Sequence, residues 1–511
     1  MEQNQREELK YCQTVFRGTA EASSEADIIV PDYCPDVERI VRVDASPMIR
    51  QKFAAKDKIT VIGAAEVHVL YLPENGGSLR CLNHTLEFSA EFDAKGVTPE
   101  STVMADARLS YVNCHVLNSR KLTLKAGVAI TVRADRVGAV PLLYPEADDS
   151  GEVCVLPEEH ECDIFLGETS HEFTVAEDIE IPADKPAIAT YCRSDATAMV
   201  DEYKVIDDKI VLKGHVLVDT IYVGDLESGE IVCLQSEIPF NQIVELAGIT
   251  ESAIAFVNLT VTGQKFDIYE NDSSESRVIT ANIELEATVE AYCRERVALV
   301  ADAYATRHEC TLKNENLVMP DVLVFERVAA AVKESVQSNE ELSSCIPSSC
   351  FAVVDGITKE GNTLKIAGTL HASALGKTAD GVVNFDHTAP FTAAVPFERD
   401  CTSLDYSCTC SVVKFSAVMA TPYSVEIRAD IQCNLMLKCG QKLSFVSEIE
   451  VDESRPIADA SKYLVLYYPT QGESLWDIAK RYRSSVEAMR ELNHCEGDTA
   501  EQNMLMIPRR R

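Results

Sequence analysis

Apolar and polar residues alternate along three stretches of this chain, and the alternation returns about every 150 residues. The stretches begin "KITVIGAAEVHVLYLPENGG" at Lys58, "KIVLKGHVLVDTIYVGDLESGE" at Lys209 and "TLKIAGTLHASALGKTADG" at Thr363. A period of two is the signature of a half-buried strand. Each strand runs into a turn rich in Gly, Asp, Asn and Ser, residues that tolerate positive φ or bond their own backbone, and a second alternating strand follows. Gly63, Gly214 and Gly368 hold the same place in each first strand, 151 and 154 residues apart. A glycine inside a strand predicts a bulge or a close backbone approach.

Two further matches frame these hairpins. "SRKLTLKAGVAITVRA" from Ser119, "SRVITANIELEATVEA" from Ser276 and "YSVEIRADIQCNLMLKC" from Tyr423 alternate in the same way, with Ala126, Ala281 and Ala429 placed in register. "IIVPDYCP" and "IEIPADKP" put Pro31/Pro35 and Pro182/Pro186 at one offset, and the third unit lacks this entry motif. The pattern predicts three copies of one β-rich domain, sandwich- or barrel-like. The expected layout is an N-terminal helical or flexible segment (1–24), β domain one (25–140), an acidic linker (141–172), β domain two (173–308), and a helix plus β domain three (309–455). The helix is expected in "PDVLVFERVAAAVKESVQS" from Pro320, where a proline opens an alanine-rich run.

The pattern changes over 463–511, from period two to the helical period. Leu475, Ile478, Ala479 and Tyr482 fall on one helix face, opened by a capping box at Ser474. A second box at Ser484 opens another helix, with Val486, Met489 and Leu492 as its buried side. With "YLVLYYP" before and "NMLMIP" after, a small βααβ module is expected.

Composition narrows the function classes. The 511 residues carry a formal net charge of −35. Between Val465 and Arg511 the acids Glu473, Asp477, Glu487, Glu491, Glu496, Asp498 and Glu501 balance Lys480, Arg481, Arg483, Arg490 and Arg509 to Arg511. The whole excess therefore sits on the β domains, and such a body repels nucleic acid. The polar start "MEQNQREELKYCQTV" lacks a signal-peptide pattern, which points to the cytosol. The 18 cysteines form no CxxC pair, so no zinc site is indicated, and they are expected to be reduced, many as small buried apolar groups. His84, His115 and His160 stand alone, and neither a phosphate-binding glycine loop nor an HExxH motif occurs, so no enzyme is expected. The acidic "EADDSGE" (Glu146–Glu152) lacks the EF-hand order and reads as a solvated linker rather than a calcium loop. No cofactor or metal is called for.

Two resemblances complete the reading. "VPDYCPDVERIVRVDA" (Val30–Ala45), "LNSRKLTLKAGVAITV" and the strand pair from Lys213 resemble the SPOCS domain of spore-coat assembly proteins in spore-forming Firmicutes. Residues Tyr467, Gly472, Glu473, Ser474, Leu475, Trp476, Ile478, Ala479, Leu492, Asn493, Leu505, Ile507 and Pro508 follow the LysM pattern in order, with Glu473 where an aspartate is usual. SPOCS repeats ending in a LysM module resemble the layout of SipL- and SpoVID-type coat proteins. The resemblance implies a non-enzymatic scaffold in the mother-cell cytoplasm, at the forespore surface. The module's partner would be a coat morphogenetic protein such as the SpoIVA ATPase. The alternative is the sugar-binding habit of LysM modules, with peptidoglycan or another N-acetylglucosamine polymer as ligand. By either route the implied groove lies between the loops 470–474 and 493–502, and Gln471, Gly472, Glu473, Ser474, Trp476, Asn493 and His494 are its candidate residues.

Overall fold

A computed structural model describes residues 8–74, 77–143, 152–379, 381–457, 464–500 and 502–508. The body consists of three six-stranded units built to one plan. Unit one comprises β1 (Glu8–Ile29), β2 (Val37–Ala55), β3 (Lys58–Pro73), β4 (Arg80–Asp93), β5 (Thr102–Asn118) and β6 (Lys121–Pro141). Unit two comprises β7 (Val153–Glu180), β8 (Thr190–Ile206), β9 (Lys209–Asp225), β10 (Glu230–Glu245), β11 (Ile254–Glu270) and β12 (Ser276–Ala305). Unit three comprises β13 (His308–Gln337), β14 (Ser344–Glu360), β15 (Thr363–Thr378), β16 (Gly381–Pro396), β17 (Ser403–Thr421) and β18 (Ser424–Pro456). In each unit the second, third and fourth strands form one antiparallel sheet, and the first, sixth and fifth form another. The two sheets face each other as a sandwich, burying the alternate residues of the third and sixth strands: Ile210, Leu212 and Val216 meet Ile279, Ile283 and Leu285 in unit two.

The strand glycines explain themselves in this frame. Gly63, Gly214 and Gly368 lie opposite Phe88, Phe240 and Phe391 on the fourth strands. On their other side the second strand bulges, just after Ile49, Val200 and Val354. A Cβ on any of the three would strike both the phenylalanine ring and a carbonyl oxygen of the second strand. The sequence expected a bulge or a close approach here, and both occur.

Entry motifs are held by a repeated clamp. Arg120 donates to the carbonyl oxygens of Cys34 (3.0 Å) and Val30 (2.9 Å), and Arg277 to that of Lys185 (2.9 Å). Buried Tyr71 and Tyr222 donate to the carbonyls of Pro35 and Pro186. In unit three Tyr423 and Gly376 stand at these places, consistent with the missing entry motif.

Several expectations fail. From Glu8 the N-terminal segment is strand β1, paired along its length with β6 rather than helical. Its Ala, Ser and Thr give a weak pattern, and the partner strand decides. The stretch from Pro320 is strand β13, not helix, because pairing with β18 overrides local propensity. Pro320 is tolerated since β13 is an edge strand. Residues 153–172 of the expected linker belong to β7, and the rest of the acidic run, with most of "EADDSGE", lies outside the described residues. Pairing also shifts one register. Lys121, Val278 and Ser424 are the first residues of the sixth strands to pair with the first strands, so Ala126 matches Ala429 but Ile283, not Ala281. Finally, Cys401–Cys439 and Cys410–Cys433 are disulfides. Cys410 lies directly across the β17–β18 ladder from Cys433, a proximity that spacing along the chain does not reveal.

The units are not beads on a string. Leu70, Ile221 and Leu375, each seven residues after its repeat glycine, meet in one buried cluster. The long first and sixth strands run past their sandwiches and meet in another, where Leu9 and Val140 pack with Ile164, Leu299, Met319 and Phe445. Equivalent positions converge, as about a threefold axis.

Candidate functional site

The C-terminal module has the expected βααβ order: β19 (Leu464–Tyr467), α1 (Leu475–Tyr482), α2 (Val486–Asn493) and β20 (Leu505–Pro508). Ser474 caps α1, its Oγ accepting from Trp476 N at 3.2 Å. The cap of α2 is Ser485, one residue later than expected, accepting from Ala488 N. Ser484 is buried instead, its hydroxyl donating to the Pro508 carbonyl. Leu475, Ile478, Ala479, Val486, Met489, Leu505 and Ile507 form the module's core. Leu492 is exposed, and Asn493 takes the buried place expected of it, seven residues after Val486.

The seven candidate groove residues do not form one surface. Asn493 is buried and fully used: its Nδ2 donates to the Met489 and Met506 carbonyls, and its Oδ1 accepts from Met506 N. It ties α2 to β20. Ser474 is spent as a cap. Glu473 accepts from Tyr467 Oη and Thr470 N and pairs with Arg481. Desolvation alone would raise its carboxyl pKa, but these donors hold it below the ordinary value. Gln471, Gly472 and His494 are exposed. The φ of Gly472 is +81°, which suits glycine there. Between the two loops, Leu475 N donates to Asp498 O (2.9 Å) and Ala500 N to Glu473 O (2.8 Å), so the loops are joined by backbone bonds.

Trp476 turns the other way, toward the β body. Its Nε1–H donates to Asp302 Oδ2 at 2.9 Å, and its ring meets that of Tyr304 edge-on with centroids 4.9 Å apart. Lys480 pairs with the same Asp302. Asp302 and Tyr304 sit at the far end of β12, the extension beyond the sandwich. Nothing in the period-two pattern of β12 marks them, because their role depends on a module more than 170 residues away.

A second candidate lies between the three units. The second and fifth strands of each line a cavity of about 780 Å³. Toward one end stand Asp44, Arg193 and Asp195, with Arg193 pairing to Asp44 (3.2 Å) and Asp195 (3.0 Å). Toward the other, Arg133 pairs with Asp135 (2.8 Å) and Glu290 (3.1 Å), and Lys438 with Glu290. Each unit supplies a member to this second network. Burial works against ionised Glu290, but Lys438 and Arg133 outweigh it and lower its pKa. Glu168 nearby is pushed up to about 7, by burial first and then by Glu290 and Asp135. Cys12, Asp135 and Glu290 approach one another closely enough to share a metal ion. Arg133 and Lys438 already supply the positive charge there, so the arrangement fits an internal ion-pair network.

Residues 36–117 and 187–269 match the family described as SipL, SPOCS domain, and residues 470–499 match the LysM domain. The two SPOCS segments span the second to fifth strands of units one and two, and unit three repeats their strand order. No curated protein and no solved structure matches the chain. SPOCS and LysM are non-catalytic domain families. Among the described residues no helix is long and apolar enough to cross a membrane.

Proposed function

We propose that this chain, a protein of SPOCS and LysM domains, is a non-enzymatic scaffold of spore-coat assembly. Its module would dock a coat morphogenetic protein such as the SpoIVA ATPase, at the forespore surface in the mother-cell cytoplasm. One observation carries the reading: the three β units share buried clusters and form one framework, on whose rim the module is mounted. A rigid framework can hold partners in fixed relation, and joined modules raise one another's effective concentration. The loops of the sugar groove are bonded to each other, and Asn493 is committed to the module's own fold, which favours a protein partner over a glycan.

The second reading is binding of peptidoglycan or another N-acetylglucosamine polymer. The LysM match and the exposed Gln471, Gly472 and His494 favour it. The deciding experiment immobilises the full chain and offers it the coat ATPase and, separately, purified peptidoglycan fragments. Capture of the ATPase without retention of glycan is expected. Retention of glycan without the ATPase would replace the first reading by the second.

A further inference from the structure

The contact between the module and β12 is built in more detail than a chance contact of two neighbouring domains. Tyr304, 1% exposed, belongs to the body yet packs into the module's own core beside Leu475 and Ile478. Its hydroxyl donates to the Ser484 carbonyl at 2.5 Å. Asp302 receives Trp476 Nε1 at 2.9 Å and Lys480 Nζ at 2.7 and 2.6 Å. Arg483 donates to the Ala305 carbonyl at 3.0 Å and lies 3.6 Å from Glu309. The β7–β12 ladder breaks register between Val300 and Asp302, and a bulge of this kind re-aims the side chain that follows it.

We propose that this end of β12 is a docking seat for the Trp476 face of the module, and that the seat acts as a latch. While the module is seated, Trp476 and Lys480 are spent on Asp302 and Tyr304 and cannot serve another partner. Two features make the contact reversible. Its ion pairs are partly exposed, so solvent and salt weaken them. Apart from Tyr304, the buried residues of the module's core and both helix caps come from the module itself, which lets it keep its fold when it leaves the seat. The covalent tether then lets a modest contact hold, because it keeps the module near the seat. A partner that uses the Trp476 face must compete with the seat, and one that binds the seat instead frees the module. The competition rests on the partner-docking role proposed above, whereas the latch itself does not.

Trp476 is the only tryptophan of the chain, so its fluorescence reports the latch alone. The full chain is compared with Asp302→Lys, the milder Asp302→Asn, and the charge swap Asp302→Lys/Lys480→Asp, each checked for native circular dichroism. Asp302→Lys should shift the emission to the red, raise acrylamide quenching, and move the seated-to-free ratio about tenfold, the size of one charge-assisted contact. The asparagine variant should fall between, and the swap should restore part of the seating. Emission and quenching identical in wild type and in both single variants would overturn the latch. Capture of the coat ATPase by Asp302→Lys is then measured. Tighter capture supports competition for the Trp476 face. A shifted emission with unchanged capture would overturn the partner's use of that face while the latch stands.

Discussion

Replacing Gly214 by alanine tests whether the repeat glycines are there for packing. The new Cβ would fall on the carbonyl oxygen of Met199 and within 2.6 Å of the Phe240 ring. Neither obstacle yields easily. The carbonyl belongs to the bulged second strand, and Phe240 is buried and packs on Phe173 with ring centroids 5.3 Å apart. Overpacking of this kind costs about 1–3 kcal/mol, and two rigid contacts place Gly214→Ala at the upper end. Loss of glycine's freedom in the unfolded chain returns about 0.4–1 kcal/mol. The expected net loss is therefore ~2 kcal/mol, or about 4–8 °C in the transition of a unit of this size. Calorimetry gives the shift, and amide exchange of β9 peptides assigns it to unit two. Gly356→Ala is the control, since its Cβ meets nothing within 4 Å and its φ is not positive. Adding Phe240→Leu should relieve part of the clash, so the double variant should lose less than the two single losses combined. If Gly214→Ala and Gly356→Ala behave alike, the glycine serves some end other than packing, and the account of all three repeats fails.

Three further outcomes follow from the same structure. Glu290→Ala leaves Lys438 and Arg133 without their shared acceptor and should cost about 3–5 kcal/mol, with faster amide exchange where the three units meet. Glu168 keeps a proton in the folded chain that the unfolded chain has released, because its pKa is raised from 4.5 to about 7. Stability should therefore fall as pH rises through that window, and Glu168→Gln should abolish the slope and gain up to roughly 3 kcal/mol above it; an unchanged slope in urea titrations would exclude Glu168 as its source. Reduction of Cys401–Cys439 and Cys410–Cys433 should destabilise unit three by about 3–4 kcal/mol for each loop closed, read as a lower thermal transition with the largest rise in amide exchange in β17 and β18.

The sequence by itself determined the unit of construction. Alternation over the hairpins, the spaced glycines and the turn residues are local signals, set by which face of a strand is buried and which backbone angles a residue tolerates. The βααβ module was legible for the same reason, since its caps and helix faces lie within a few residues of each other. Tertiary structure decided what local signals cannot carry. An alanine-rich run after Pro320 became the edge strand β13 because β18 lay ready to pair with it. The weakly patterned N-terminus became a strand because β6 needed a neighbour. Cys410 met Cys433 across a ladder, and Arg133, Glu290 and Lys438 met from three different units. The face of Trp476 was decided at the greatest distance. Its LysM pattern alone suited it to a groove, but the bulged end of β12 brought Asp302 and Tyr304 against it, a contact set by how the whole chain packs.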